Sequence, residues 1–475
     1  MWSPWMSALL VAAMSGQAPD SAPEVFRARH VSLALAIDHA AERLGGSITY
    51  DLENWTARPA SHISFLVNRL MEASAVRDGR GTALPYTQDV VRFRDEPMRQ
   101  VTQVRVTLPR AIPAGGRTTV RIEYAGNLVG YTEVGWLYVR DRIDTTFTII
   151  REDALAFPVI GGVSDAANRK RPRGEFTYDA AIRVAARYLV ATGGALTRTP
   201  HDDGTVTWRY VSEGASPFLN VSVAPFDTLV EGGVHLFHFR ADSLGARRTM
   251  ANTQAALRLL SQWFGPQRTT LNLTIAEIPD GWGSQAHLVG GIIQTASAIR
   301  DPARSGELYH ELSHLWNARD TDTPSPRWNE GLASFLEDLL RERLDGWTGR
   351  GASETRTLAW VRQKADADSL LRVVPMLEYG RRAMTDNSYS VGEIMFATLY
   401  DLVGEEQFHA IVGGYYQHFA DGGSTRDFVA FAKQTAARNL DAFFDDWIFT
   451  PRWAEVLRSA SSIGDVANHY RGTPP

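Results

Sequence analysis

The stretch Glu307–Asn317 of this 475-residue chain reads ELYHELSHLWN and sets His310, Glu311 and His314 in the pattern HExxH. On a helix, residues four apart lie one above the other, so both imidazoles can reach a single ion. Glu311 follows the first histidine directly and flanks that ion, where it can take a proton from a water held there. A third ligand follows in RWNEGLASFLEDLL, where Glu330 stands after an interval of residues 315–329. Pro324 and Pro326 break the chain between them, and Ser325 or Asn329 can cap the helix that restarts. Two helices joined by a bend can then present His310, His314 and Glu330 to one tetrahedral zinc. The fourth position stays open for water, which is a catalytic arrangement. The bland alternative is a pair of satisfied surface histidines near an unrelated acid. The chain has no cysteine. Any metal is therefore held by nitrogen and oxygen alone, which suits zinc, at one ion per chain. The same absence excludes disulfides, thiolate zinc sites, iron–sulfur clusters and a cysteine nucleophile.

The elements that must position these residues change texture along the chain. From about residue 25 to 230 the pattern is strand-like. Phe176, Tyr178, Ala180, Ile182, Val184, Ala186, Tyr188 and Val190 recur at every second position and predict one long half-buried strand. VRIEYAG at 120–126 has the same texture, and Gly-Gly pairs at 115–116, 161–162 and 193–194 punctuate the runs as turns do. Many strands with few helices indicate an all-β, sandwich-like domain. Beyond about 245 the pattern becomes mixed, then helical. Helices are expected at 249–265, 303–318, 326–343, 391–404 and 424–436, with strands at 269–279 and 290–297. The expected division is a signal segment at 1–22, a β-rich domain at 23–230, a catalytic domain at 231–452 and a C-terminal tail at 453–475.

HELSHLWN followed by WNEGLASFLEDL resembles the gluzincin zinc aminopeptidases, the family of alanyl aminopeptidase and leukotriene hydrolase. REDALAFPV at 151–159, SPFLNVSVAPFD at 216–227, SYSVGEIMFATLYDLVGEEQF at 388–408 and STRDFVAFAKQTAARNLDAFFDDWI at 424–448 are similar to further segments of that family, in matching order over about residues 30–450. The resemblance implies a thermolysin-like α+β catalytic domain, mostly helical at its C-terminal end, behind the β domain. It implies hydrolysis of peptide bonds by a zinc-activated water. His310, His314 and Glu330 match the zinc ligands, and Glu311 matches the general base. Tyr389, in YSVG, matches the tyrosine whose hydroxyl stabilises the tetrahedral intermediate. Glu337, two turns past Glu330, either supports a ligand histidine or is a solvated surface acid. The departures matter too. The loop between His314 and Glu330 is shorter than the family's. Aligned on GGII, Gln285–Val289 fall on the family's edge-strand motif, so Leu288 replaces the glutamate that binds a substrate's free amine. His287 either lines the cleft there or is an exposed strand histidine. The family's large C-terminal helical domain has no counterpart within the sequence.

Net charge is −5, and a nucleic-acid partner is not expected on so acidic a chain. The basic run Arg169–Arg173 reads as a solvated loop. The apolar run of residues 6–14, MSALLVAAM, is too short to span a bilayer and suits the core of a secretory signal. Export to a periplasmic or extracellular space is expected, or a cytoplasmic address if that segment is not a signal. No transmembrane segment is expected in the mature chain. The functional expectation is a zinc metallopeptidase acting on peptides or proteins. The competing reading is an inactive or repurposed zinc-containing binding or scaffold protein, and the glycyl aminopeptidase branch is a third resemblance.

Overall fold

The computed structural model of the chain describes residues 25–170, 174–268, 272–287 and 289–471. Residues 1–22, read above as a signal, lie outside the described residues, as does Leu288. Two large apolar cores divide the chain. One gathers residues from Phe26 to Val223, the other residues from Val234 to Tyr470.

The first core is built almost wholly from strands. A seven-stranded sheet runs in the order Ala195–Pro200, Thr205–Val211, Thr177–Ala185, Phe26–Asp38, Arg43–Asn54, Arg117–Gly126 and Met71–Asp78. Its buried face holds Val31, Leu33, Leu35, Ile48, Tyr50, Ile122, Tyr124 and Ile182. A four-stranded sheet of Tyr86–Arg92, Gln100–Ile112, Ala60–Asn68 and Val159–Ile160 contributes Phe65, Val104 and Val106 to the same core. Alternation of inward apolar and outward polar residues is what makes two such sheets pack face to face.

The run 176–190 is not one strand. Thr177–Ala185 stays in the seven-stranded sheet, with Tyr178, Ala180, Ile182 and Val184 buried. The chain then turns, with the Tyr188 N–H donating to the Ala185 carbonyl at 2.9 Å. Leu189–Ala191 joins a separate three-stranded sheet with Val221–Ala224 and Thr148–Ile150. Tyr188 and Val190 are buried after the turn, in phase with the residues before it, although Ala186 in the turn itself is exposed.

The second core has a five-stranded sheet in the order Asp227–Glu231, Val234–His238, Leu273–Ile278, Gly291–Thr295 and Gln285–His287. Its three inner strands are parallel, and Gln285–His287 is an antiparallel edge. His287 closes that edge strand, and its side chain is not among the described atoms. The edge is fastened to the β-rich part. Asn220 Nδ2 donates to Gln285 Oε1 at 2.7 Å. The buried Arg151 grips Asp141 through Nε and Nη2 at 2.9 and 2.8 Å and donates from Nη1 to the Trp282 carbonyl at 3.2 Å. The helices Ser243–Phe264 and Ser305–Ser313 pack on this sheet, and Trp328–Leu344, Arg350–Ala367, Asn387–Val403, Glu405–His418 and Thr425–Thr435 pack on them and on one another.

Residues 453–471, read from sequence as a tail, form two helices, Trp453–Ser459 and Ile463–Arg471. Trp453, Leu457, Val466 and Ala467 are fully buried in the helical core. Trp453 and Leu457 are four apart, and Ile463, Val466, Ala467 and Tyr470 recur at three and four, so each short helix has one apolar face. Among the described residues, no helix is long and apolar enough to cross a membrane.

One buried acid makes the fold pH-sensitive. Glu277 is completely buried in the strand Leu273–Ile278, where its Oε2 accepts from the Phe239 N–H at 2.7 Å. Burial, then a hydrogen bond shared with Asp242, raises its pKa to about 9. The folded chain therefore holds a proton that the unfolded chain gives up at about pH 4.5, and stability falls as pH rises between these two values. A glutamine at 277 keeps the acceptor for Phe239 and offers Asp242 an N–H without binding a proton. Glu277→Gln is expected to unfold later in urea than the parent at pH 8, by on the order of 2–4 kcal/mol. The gain should shrink as pH falls toward 5. Parallel pH–stability curves for the two proteins would defeat this account.

Candidate metal centre

The helix Ser305–Ser313 carries His310 and Glu311, and His314 opens the 3₁₀ turn that ends it. The single helix expected over 303–318 is thus a nine-residue α-helix between two 3₁₀ turns. The i, i+4 relation survives the tightening. The two imidazoles stand 5.0 Å apart between centroids and are nearly perpendicular.

Glu330 enters from the first turn of Trp328–Leu344. Its Oε2 lies 3.5 Å from His310 Nε2 and 3.3 Å from His314 Nε2. Ligand bonds of about 2.0–2.1 Å at a tetrahedral zinc place neighbouring ligand atoms roughly 3.3–3.4 Å apart. The residues present therefore fit zinc, and this is the one group of metal-ligating side chains found among the described residues.

The connecting loop is tied down at several points. Asp322 Oδ2 accepts from the backbone N–H and hydroxyl of Thr425 at 2.9 and 2.5 Å, and Ser388 Oγ donates to the Pro326 carbonyl at 2.6 Å. Neither Ser325 nor Asn329 caps the restarting helix. Arg327 is the N-cap residue and has no side-chain cap, while Ser325 Oγ accepts the Arg327 N–H at 3.0 Å, one step before the helix.

Tyr389 sits in the first turn of Asn387–Val403, its ring parallel to that of His310 with centroids 6.1 Å apart. What brings this helix so close is a glycine pair. A Cβ at Gly331 would lie 2.3 Å from the Gly392 Cα, and one at Gly392 would lie 2.9 Å from the Gly331 Cα. Gly331 follows the ligand Glu330, and Gly392 comes one turn after Tyr389. Gly331→Ala must push two backbones apart. It is expected to cost about 1–3 kcal/mol, read as a lowered melting temperature, and to separate Tyr389 from the histidines. An unchanged melting temperature would show that the two helices have room to spare.

The remaining partners set charge and orientation. Burial opposes a charged His310, but Glu330 and Glu337 outweigh it and raise its pKa to about 10. Glu337 Oε2 lies 3.6 Å from His310 Nδ1, which places Glu337 against the ligand ring and not in open solvent. Burial also opposes ionisation of Glu330, but hydrogen bonds from His310 and His314 hold its carboxyl below the usual range. Burial raises the pKa of Glu311 and of Tyr389, the latter with help from the Glu330 carboxylate. Asn317 Nδ2 lies 2.8 Å from His314 Nδ1. If Nε2 faces a metal, the ring proton sits on Nδ1, and a half-turn of the amide sets the Asn317 oxygen there to accept it.

Two neighbours escape the motif. Arg327 donates from Nη2 to Glu330 Oε1, the carboxylate oxygen that the histidines leave free, and its guanidinium carbon is 5.9 Å from the centre of the Tyr389 ring. Asn317 stands inside HELSHLWN, three residues past the second histidine, and only that spacing could have pointed to it. Nothing in the spacing singles out Arg327.

No protein-family model and no curated protein matches the chain. Solved structures do. The M1 zinc metallopeptidase of Deinococcus radiodurans is 20% identical, with 90% of this chain and 94% of that one covered and a TM-score of 0.65. A variant of that protein bound to a Tyr-Ser-Ala substrate is 19% identical, with 89% and 94% covered and a TM-score of 0.63. Native yeast LTA4 hydrolase is 14% identical, with 90% of this chain and 68% of that one covered and a TM-score of 0.65. The chain has the fold of the M1 zinc metallopeptidases, in a two-domain form also seen among its neighbours. The resemblance read from its motifs is thereby shown at the level of the fold.

Proposed function

We propose that the chain is a zinc-dependent metallopeptidase of aminopeptidase type. The observation that carries this is the convergence of His310 Nε2, His314 Nε2 and Glu330 Oε2 on one point, with Tyr389 stacked beside it. Zinc, when bound there, supplies Lewis-acid activation of water and of a carbonyl. Glu311 accepts the proton of the attacking water, and its raised pKa brings it nearer the neutral range where a general base works best. Tyr389 donates its hydroxyl to the oxygen of the tetrahedral intermediate. Its own raised pKa keeps that proton in place. Glu337 holds the His310 ring from behind through Nδ1, so that Nε2 faces forward.

The substrate class is peptides or proteins, as the Tyr-Ser-Ala bound to the Deinococcus protein suggests. Leu288 stands where the resemblance puts an amine-binding glutamate, so preference for a free N-terminus has lost its electrostatic reason. The division at 23–230, 231–452 and 453–475 and export through residues 1–22 belong to the same proposal. N-terminal sequencing of the mature protein tests the latter.

A mixed peptide library, digested with and without a chelator and read by mass spectrometry, tests the activity. Cutting that stops on chelation and returns with zinc is expected. The cut positions separate removal of terminal residues from internal cleavage. His314→Ala should lose zinc and cutting together. A zinc-replete protein that leaves the whole library intact would favour the binding-protein reading.

A further inference from the structure

Arg327 stands at the metal centre in a conformation that residues bearing a Cβ avoid. Its φ is 58°, in the left-handed region that a Cβ disfavours. That backbone lies directly before the helix Trp328–Leu344, and the side chain reaches Glu330 within the helix's first turn. The ion pair does not by itself account for the cost. Glu330 already takes two imidazole contacts on its other oxygen, and the Arg327 side chain is 46% exposed. With Arg327 half-exposed, water screens part of that ion pair.

The guanidinium has donors to spare. It presents five N–H groups in a fixed plane, and the contacts to Glu330 and Tyr389 use one edge of it. The side chain as a whole is half-exposed beside the candidate reacting centre. A half-exposed planar fork of this kind matches a carboxylate, which it can bind through two parallel hydrogen bonds. The acids around it are otherwise engaged, Glu330 by the two histidines and Glu337 by His310. The chain also carries Leu288 where a carboxylate for a substrate amine would be expected. The anion that the resemblance implies is missing from the sequence at 288, and Arg327 is a cation beside the candidate metal centre.

We propose that Arg327 is a specificity residue that binds a substrate carboxylate within about one residue of the cleaved bond. This rests on the peptidase reading and names its substrate class as acidic. The carboxylate has two possible sources, the C-terminal carboxylate of a short peptide and the side chain of Asp or Glu.

The test uses the full zinc-loaded chain and two matched peptide pairs. One pair differs only in a free or amidated C-terminus, the other only in Glu or Gln beside the cleaved bond. The parent should favour the carboxylate member of one pair by about tenfold or more in kcat/KM, and that pair identifies the source. Arg327→Met should raise KM for that member by roughly 10- to 100-fold relative to its amide or Gln partner, whatever both lose in kcat through Glu330 and Tyr389. Arg327→Lys should restore part of the preference. Calorimetric binding of an N-acetylated dipeptide and of its amide, and of their Glu and Gln forms, reads the same preference without turnover. Carboxylate-selective binding with no hydrolysis would sustain Arg327's assignment and overturn the peptidase reading. Equal binding of all forms, or an Arg327→Met variant that slows all four peptides alike through kcat, would overturn the assignment and leave Arg327 as a support for Glu330 and Tyr389.

Discussion

Glu311→Gln is expected to retain its zinc and to lose about 100- to 10,000-fold in kcat, the usual worth of a positioned general base. The side chain is next to a ligand but is not one. His310, His314 and Glu330 supply the three converging atoms, and Glu311 is not among them. Glutamine has the same length and shape, so the helix Ser305–Ser313 and both histidines should stay where they are. What disappears is the only function glutamine cannot supply, acceptance of a proton from the attacking water. Metal analysis of the purified variant should give about one zinc per chain, as in the parent. KM should change little, because the interaction removed is one made as the proton moves, not when substrate binds. Parent-like turnover with a full complement of zinc would falsify the proposed mechanism and turn attention to the binding-protein reading.

The ligands were legible because their geometry is local. His310 and His314 are one helical turn apart, and that relation holds even though the helix tightens to 3₁₀ at His314. Glu330 was legible because prolines mark the bend and an amphipathic helix follows. The neighbours that refine the site were not. Arg327 matters through a positive φ and a contact across the helix start, and neither leaves a periodic trace. Gly331 and Gly392 are 61 residues apart, each unremarkable alone, and only the packed helices reveal that both must lack a Cβ. The run 176–190 was read as one strand because a tight turn that returns its inward residues in phase preserves the alternation in the sequence. The final helices were missed because each is only seven to nine residues long, and they are held by packing against the core and not by any strong propensity of their own.

The site also depends on surfaces distant in sequence. The edge strand Gln285–His287 is held from the β-rich side by Asn220, and the loop before it by Arg151. The candidate ligands come from helices of the second core, and the edge strand packed beside the motif helix is tied to Asn220 of the β-rich part.

Tyr389→Phe is expected to cost about 100- to 1,000-fold in kcat, the typical worth of one oxyanion donor, while zinc content stays at that of the parent. The ring should remain in place, since its stacking on His310 and its seat in the first turn of Asn387–Val403 do not need the hydroxyl. Gly331 and Gly392 still set the distance between the helices. The loss should therefore fall on kcat and leave KM nearly unchanged, which separates a donor to the intermediate from a group that binds the ground state. Burial, together with the Glu330 carboxylate, holds the parent phenol protonated above its ordinary range. The activity of the parent should accordingly show no loss from phenol ionisation up to about pH 10. Arg327 lies against the same ring, so Arg327→Met and Tyr389→Phe need not be additive. If Tyr389 is the donor and Arg327 the carboxylate anchor, Arg327→Met should cost the same factor on an amidated or Gln peptide in the Tyr389→Phe background as it does alone. A different factor on that neutral peptide would instead give Arg327 a share in stabilising the oxyanion.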